Sequence, residues 1–181
     1  MGKVFEAIDS KIENWISRQQ MFFVATAPSG DEGLINCSPK GLDTLRVLGP
    51  HEIAYLDLGG SGVETIAHLK QNGRMVLMMC AFEGPPKIFR FYGTGTAVEP
   101  GDDGFDDLLA HFPEFAMPRA VVRLSITRIA DSCGYGVPRY QHEGKRDAME
   151  NWVASKTEQE MLDYRKKNNS TSLDGLPGIK A

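Results

Sequence analysis

Phe5, Ile8, Ile12, Trp15 and Ile16 recur three and four residues apart, which predicts an opening amphipathic helix over residues 4–18. From there short strand-like runs take over. Residues 21–27 (MFFVATA) and 34–38 read as strands. Between them, Pro28-Ser29-Gly30-Asp31-Glu32-Gly33 is turn chemistry, so the pair forms a hairpin. Pro39-Lys40-Gly41 interrupts the sheet, which resumes at 45–48 and, past Gly49-Pro50, at 52–58.

The stretch 57–79 (DLGGSGVETIAHLKQNGRMVLMM) carries four consecutive signals. A strand ends, and Gly59-Gly60-Ser61-Gly62 turns the backbone. Ser61 with Glu64 reads as a capping box that starts a helix running to about Asn72, with Gly73 placed to end it. Residues 74–81 (RMVLMMCA) then form a buried strand. Glu83-Gly84-Pro85-Pro86 is a hairpin turn, and residues 87–99 alternate, with Gly93 and Gly95 marking a bend or bulge. A short helix over 105–112 stops at Pro113, and residues 120–129 are the last long strand.

These elements predict an α+β domain, mainly β: a small antiparallel barrel of about six strands with helices before, between and after them. The barrel spans about 20–130 and a helical extension about 140–170, all in one domain over 1–181. The extension holds polar helices near 145–155 and 158–168, the second with the capping box Thr157–Glu160. Met149, Trp152, Val153, Met161 and Leu162 are their buried side, and 168–181 is a loop-like tail. The βαβ alternation of a doubly wound nucleotide-binding sheet is missing.

A net charge of −4 argues against nucleic acid or an anionic membrane as partner. No apolar run reaches the ~20 residues of a membrane-crossing helix. The first 15 residues have no secretory pattern, and Glu6 stands where myristoylation needs Ser or Thr. Cys37, Cys80 and Cys133 are widely spaced, and two lie in apolar strands, which predicts buried thiols and a cytoplasmic location.

Hydrolytic and metal chemistry find no support in the sequence. His51, His68, His111 and His142 fall in separate elements, without partners at metal-ligand spacing. There is no G-x-S-x-G elbow, and Cys37 need not face a pocket. Asn36-Cys37-Ser38-Pro39-Lys40-Gly41 is more telling. Asn36 and Ser38 share one strand face and Lys40 follows at the strand end, presenting an amide, a hydroxyl and a cation. That set suits a polar ring with a phosphate tail, although a solvent-facing strand edge would read the same way. The helix start behind the glycine turn offers free N–H groups to an anion, with Glu64 working against it.

In order and spacing, three features resemble the flavin-binding split-barrel family related to pyridoxamine 5′-phosphate oxidase. They are the strand ending Ile35-Asn36-Cys37-Ser38-Pro39-Lys40-Gly41, the run from Tyr55-Leu56-Asp57 through the glycine turn to Asn72-Gly73-Arg74, and the strand over 88–93. The resemblance covers residues 5–130. The loop over 133–140 and the ending Ser172-Leu173-Asp174-Gly175-Leu176-Pro177-Gly178 resemble an uncharacterised branch.

It implies a split barrel, a homodimer with FMN at the subunit interface, and oxidoreductase chemistry on a small molecule. The cofactor residues it implies are Asn36, Cys37, Ser38, Pro39, Lys40, Tyr55, Leu56 and Asp57. Lys40 would meet the phosphate. Glu64 and Thr65 replace the family's basic pair, so Ser61, Gly62 and Thr65 are the substitute neutral donors. Ile35 and Ile88 stand where the oxidase has an arginine and a glutamine, which argues against pyridoxamine phosphate as substrate. Tyr135, Arg139 and Tyr140 are candidates for the open side of the pocket. The alternatives are a non-catalytic flavin- or haem-binding barrel for storage, sensing or partner recognition, or a deazaflavin in place of FMN.

Overall fold

A computed structural model describes residues 2–180. Its strands are β1 (Val4–Phe5), β2 (Phe22–Thr26), β3 (Asn36–Lys40), β4 (Leu45–Gly49), β5 (Glu52–Asp57), β6 (Arg74–Cys80), β7 (Ile88–Val98) and β8 (Ala120–Ser132). They pair antiparallel in the order β3-β2-β6-β7-β8-β5-β4, with β1 on β8. This is a split half-barrel, decorated by the short helices α1 (Ser10–Ile16), α2 (Glu64–Gln71), α3 (Phe105–Leu109), α4 (Ala148–Ala154) and α5 (Glu158–Asn169).

The opening helix is shorter than its apolar period suggests. Asp9 caps it by accepting from the Ile12 N–H at 2.8 Å, so the helix cannot begin earlier. Val4 and Phe5 instead pair with Ala130 and Ile129 of β8. Phe5 still reaches the core, 5.5 Å from the Phe89 ring, so a strand residue satisfies the apolar position that the helical spacing claimed. Pro39 lies inside β3, opposite Phe23, rather than after it. A proline is tolerated there because β3 ends the strand order and has an unpaired edge.

β7 and β8 form the long spine, and their register slips between Tyr92 and Gly93. A Cβ on Gly93 would overlap the Ser125 carbonyl, so the bulge demands glycine. One core cluster fills the barrel with Phe22, Tyr55, Leu77, Phe91 and Leu124. A smaller one, with Leu56 and Val121, packs under Phe105 of α3.

Helix α2 ends as expected, with Gly73 at φ 70° and its N–H on the Leu69 carbonyl. Its start is different. Val63 is the N-cap, with no side-chain cap bond, and the Glu64 carboxylate accepts from the Leu173 N–H at 3.3 Å instead of closing a box with Ser61. In the C-terminal half the Thr157–Glu160 box forms, and Val153 and Met161 are buried, but Leu162 is exposed. Of the three thiols, all free, only Cys80 is buried; Cys37 points off the outer face of β3, and Cys133 follows β8. No helix among the described residues is long and apolar enough to cross a membrane.

Gly93→Ala should destabilise the chain by about 1–3 kcal/mol, the usual penalty for forced overpacking. Gly136→Ala, where an added Cβ meets nothing within 4 Å, should stay within about 0.5 kcal/mol of the parent in the same urea titration.

Candidate functional site

Strand β3 alternates as its sequence requires: Asn36, Ser38 and Lys40 are half-buried on one face, while Cys37 and Pro39 are exposed on the other. The Asn36 amide donates to Thr65 Oγ1 at 2.9 Å and to Thr26 Oγ1 at 3.3 Å. Its oxygen accepts from the Ser38 hydroxyl at 3.1 Å. Asn36 is therefore engaged inside the protein, tying β3 to the first turn of α2.

The same network fixes His68, a fully buried residue of α2. Thr26 Oγ1 sits 2.9 Å from His68 Nδ1. That oxygen also receives the Asn36 amide, so Thr26 links Asn36 to the imidazole. Nε2 faces Asp174 Oδ2 at 4.0 Å. Burial drives the His68 pKa below its ordinary value, and the opposing charges of Asp174 and Glu64 do not restore it.

A second cluster is ionic. Asp57, at the end of β5 and 1% exposed, takes Arg119 Nη2 on both oxygens at 3.0 and 3.2 Å and the Gly59 N–H at 2.9 Å. Lys40 Nζ lies 4.0 Å from the same carboxylate and 5.9 Å above the Tyr55 ring. Burial pushes the Asp57 pKa up, but the charges of Lys40 and Arg119 and the Gly59 N–H outweigh it and hold the carboxyl below its usual range. Tyr55 is buried, its hydroxyl has no hydrogen-bond partner among the described residues, and its pKa is raised by burial and then by the Asp57 charge. Arg165 of α5 adds a third cation; burial and the repulsion of Arg119 push its pKa down. One carboxylate against Lys40, Arg119 and Arg165 leaves the cluster with surplus positive charge.

Between these networks runs the glycine turn. Arg119 Nη1 donates to the Gly62 carbonyl at 2.7 Å, and Asn169 Nδ2 donates to the Gly60 carbonyl at 3.0 Å. Lys40 and Gly60 open onto a cleft of about 1580 Å³ whose walls include Trp15, Phe82, Tyr140 and Trp152. Ordinary ligand pockets hold roughly 300–1,000 Å³, so the space exceeds what one small molecule needs.

The predicted site residues thus separate into groups. Asn36, Ser38 and Thr65 belong to the hydroxyl–amide network; Lys40, Tyr55 and Asp57 to the ionic one. Pro39 and Lys40 border the cleft, but the exposed Cys37 does not. Leu56 faces the smaller core, and its N–H is taken by the Thr44 carbonyl at 2.8 Å. Ser61 and Gly62 are exposed in the turn. Of the loop candidates, Tyr140 borders the cleft beside Phe82, with ring centroids 5.6 Å apart, whereas Tyr135 and Arg139 are exposed away from its lining. Sequence reading missed Arg119, Asn169 and Arg165. None sits in a motif, although Arg119 stands just before the apolar run of β8, where an isolated cation is a signal. Among the described residues no group of three His, Cys, Asp or Glu side chains gathers to hold a metal ion.

No family model matches the chain. It is 35% identical over 194 residues to the pyridoxamine 5′-phosphate oxidase family protein ustO of Aspergillus flavus, covering 97% of this chain and 77% of that protein. The chain belongs to the pyridoxamine 5′-phosphate oxidase family. Solved structures agree on the fold. HupZ of group A Streptococcus superposes with a TM-score of 0.53 at 22% identity, over 67% of this chain and 91% of its own. A Lactobacillus delbrueckii protein named for pyridoxamine 5′-phosphate oxidase does so with a TM-score of 0.52 at 20% identity, over 70% of this chain and 98% of its own. The family's split barrel thus accounts for the sheet, while α4, α5 and the tail follow the end of β8 at Ser132.

Asp57→Asn should destabilise the protein by about 3–5 kcal/mol at neutral pH, because it leaves Arg119 buried without its counter-charge. The folded Asp57 pKa is depressed, so its contribution is complete above the unfolded carboxylate value of about 3.9 and is lost as pH falls through the lower folded value. Urea denaturation at a series of pH values should therefore show the gap between parent and variant closing toward acid.

Proposed function

We propose that this chain is a flavin-dependent oxidoreductase that holds FMN between two copies of itself and acts on a small molecule. The observation that carries the reading is the surplus-cation cluster at Lys40, set beside a glycine turn at the edge of a large aromatic-walled cleft. The residues fit the group. A phosphomonoester needs a cation and neutral donors; Lys40 supplies the first, and the turn with Thr65 supplies the second. The aromatic walls suit a planar ring, and the remaining volume leaves room for a second molecule.

When bound, FMN supplies hydride or electron transfer. The chain's own contribution is to fix position and exclude water. Lys40 is steered by Asp57, which draws the ammonium toward the turn, while Arg119 already claims both carboxylate oxygens. Asn36 and Ser38 hold β3 against α2, so Lys40 and Thr65 keep a fixed separation.

Pyridoxamine phosphate itself is not the substrate we assign. Ile35 is exposed and Ile88 half-buried, and neither carries the polar group that the oxidase has at the matching position. Free thiols throughout are in keeping with a reducing, cytoplasmic setting, and the acidic chain with neither nucleic acid nor membrane as partner.

The freshly purified protein should absorb at about 370 and 450 nm and release FMN on denaturation, identified by mass. A Soret band would shift the reading to haem, and a colourless protein that takes up no added FMN would overturn it. Lys40→Ala should weaken FMN binding by about 1.5–3 kcal/mol, the range for hydrogen bonds to charged groups, as read by flavin fluorescence titration. Sedimentation should give twice the chain mass of 20.0 kDa.

A further inference from the structure

Part of the cleft wall is built by the chain beyond β8. The Tyr140 N–H donates to the Phe82 carbonyl at 3.0 Å, and the His142 N–H to Glu83 Oε1 at 2.8 Å. These two bonds clip the approach to α4 onto the loop between β6 and β7. From there α4 brings Met149 and Trp152 to the cleft. The Trp152 ring stands edge-on to Tyr164 of α5, with centroids 4.9 Å apart, and Lys156 Nζ lies 5.6 Å above it. The barrel contributes Trp15 of α1, whose ring lies 4.9 Å from the core residue Phe89. Both indoles are half-buried, so each is seated on an aromatic neighbour and still meets the cleft.

Most of the charged side chains around this space are already matched. Asp43 takes Arg46 at 2.6 Å, Lys87 takes Asp131 at 3.0 Å, and Lys145 takes Glu150 at 2.9 Å. Lys40 belongs with Asp57. Two guanidiniums are left over. Arg18 follows α1, and its backbone N–H returns to the Trp15 carbonyl at 3.3 Å, which keeps it close to that indole. Arg146 stands just ahead of α4, which carries Trp152. Both line the cleft, both are exposed, and neither has a carboxylate within 4.0 Å among the described residues.

The other charge at the lining is Glu83, one oxygen of which holds the His142 N–H. Arg18 and Arg146 against Glu83 leave a small positive surplus, which matches a monoanion better than a dianionic phosphate. A guanidinium fork meets a carboxylate through two parallel hydrogen bonds, and indole walls favour a flat apolar body.

We propose that the small molecule recognised in this cleft is an aromatic carboxylate, with its ring against Trp15 and Trp152 and its carboxylate on Arg18 and Arg146. Two of these four residues come from the C-terminal extension, so the extension sets the specificity of a site whose floor is the barrel. The proposal rests on the flavin reading above, which assigns Lys40 to the cofactor and leaves the second anion to the arginines.

Calorimetric titration of the FMN-saturated protein with naphthoate and with naphthalenemethanol, which has the same ring and no charge, tests this. Naphthoate should bind about tenfold more tightly than the alcohol. Arg18→Gln and Arg146→Gln should each remove about tenfold of naphthoate affinity, keep the affinity for the alcohol, and retain bound FMN by its visible absorption. Lys145→Gln, which changes a cleft cation already paired with Glu150, should shift naphthoate affinity by no more than about twofold. Equal affinity for the two probes, no binding of naphthoate, or arginine variants that bind it as the parent does overturn the proposal and leave the flavin reading standing. Naphthyl phosphate binding more tightly than naphthoate also overturns it, by showing a site built for a dianion. A folded parent that takes up no FMN overturns both readings.

Discussion

The pairing of Asp57 with Arg119 is the constraint from which the functional region follows. It joins the last residue of β5 to the residue before β8, two strands that run side by side with Asp57 opposite Ala120. Buried ion pairs seldom add much net stability, because desolvation cancels most of the attraction. What this one provides is direction. Both carboxylate oxygens are used, one of them also by the Gly59 N–H, so the chain leaving β5 has one exit path. Arg119 then spends its second nitrogen on Gly62, so a single guanidinium determines where the glycine turn begins and ends.

Two polar systems therefore flank the turn with opposite characters. The Asn36–Thr65–Thr26–His68 network is neutral, closed and internally saturated apart from His68 Nε2, and it behaves as a rigid joint between β2, β3 and α2. The Lys40–Asp57–Arg119–Arg165 group is charged and incompletely balanced, so it projects a field into the cleft. A stiff neutral joint thus stands beside an unbalanced ionic cluster, while the cleft walls are drawn from distant parts of the chain.

Much of this architecture is legible in the sequence, and the failures have physical causes. Apolar, β-prone runs located β2 and β5 to β8, which are packed by a continuous core. Helical spacing at Phe5 misled, since a residue facing the core at the right distance can do so from a strand as well as from a helix. Ser61–Glu64 had the capping pattern, but tertiary donors captured the backbone of the turn and Leu173 captured the carboxylate, so local preference yielded to long-range bonds. In the site, the alternation in β3 placed Asn36, Ser38 and Lys40 on one face. Whether those groups were free or already satisfied depended on Thr26, Thr65 and Asp57, which only the fold brings near. Asn169 left no pattern at all, and Arg119 only an isolated cation ahead of an apolar run, because what they do is set by which carbonyls lie opposite them.

The proline in β3 has a further consequence. An edge strand with a full row of outward N–H and C=O groups invites another chain to add itself as the next strand. Pro39 removes a donor from that row, and the exposed Cys37 beside it offers only a small side chain to grip. Open-ended growth of the sheet is thereby discouraged at the border that also carries Lys40. Whatever approaches this side must meet it through side chains and not as one more strand.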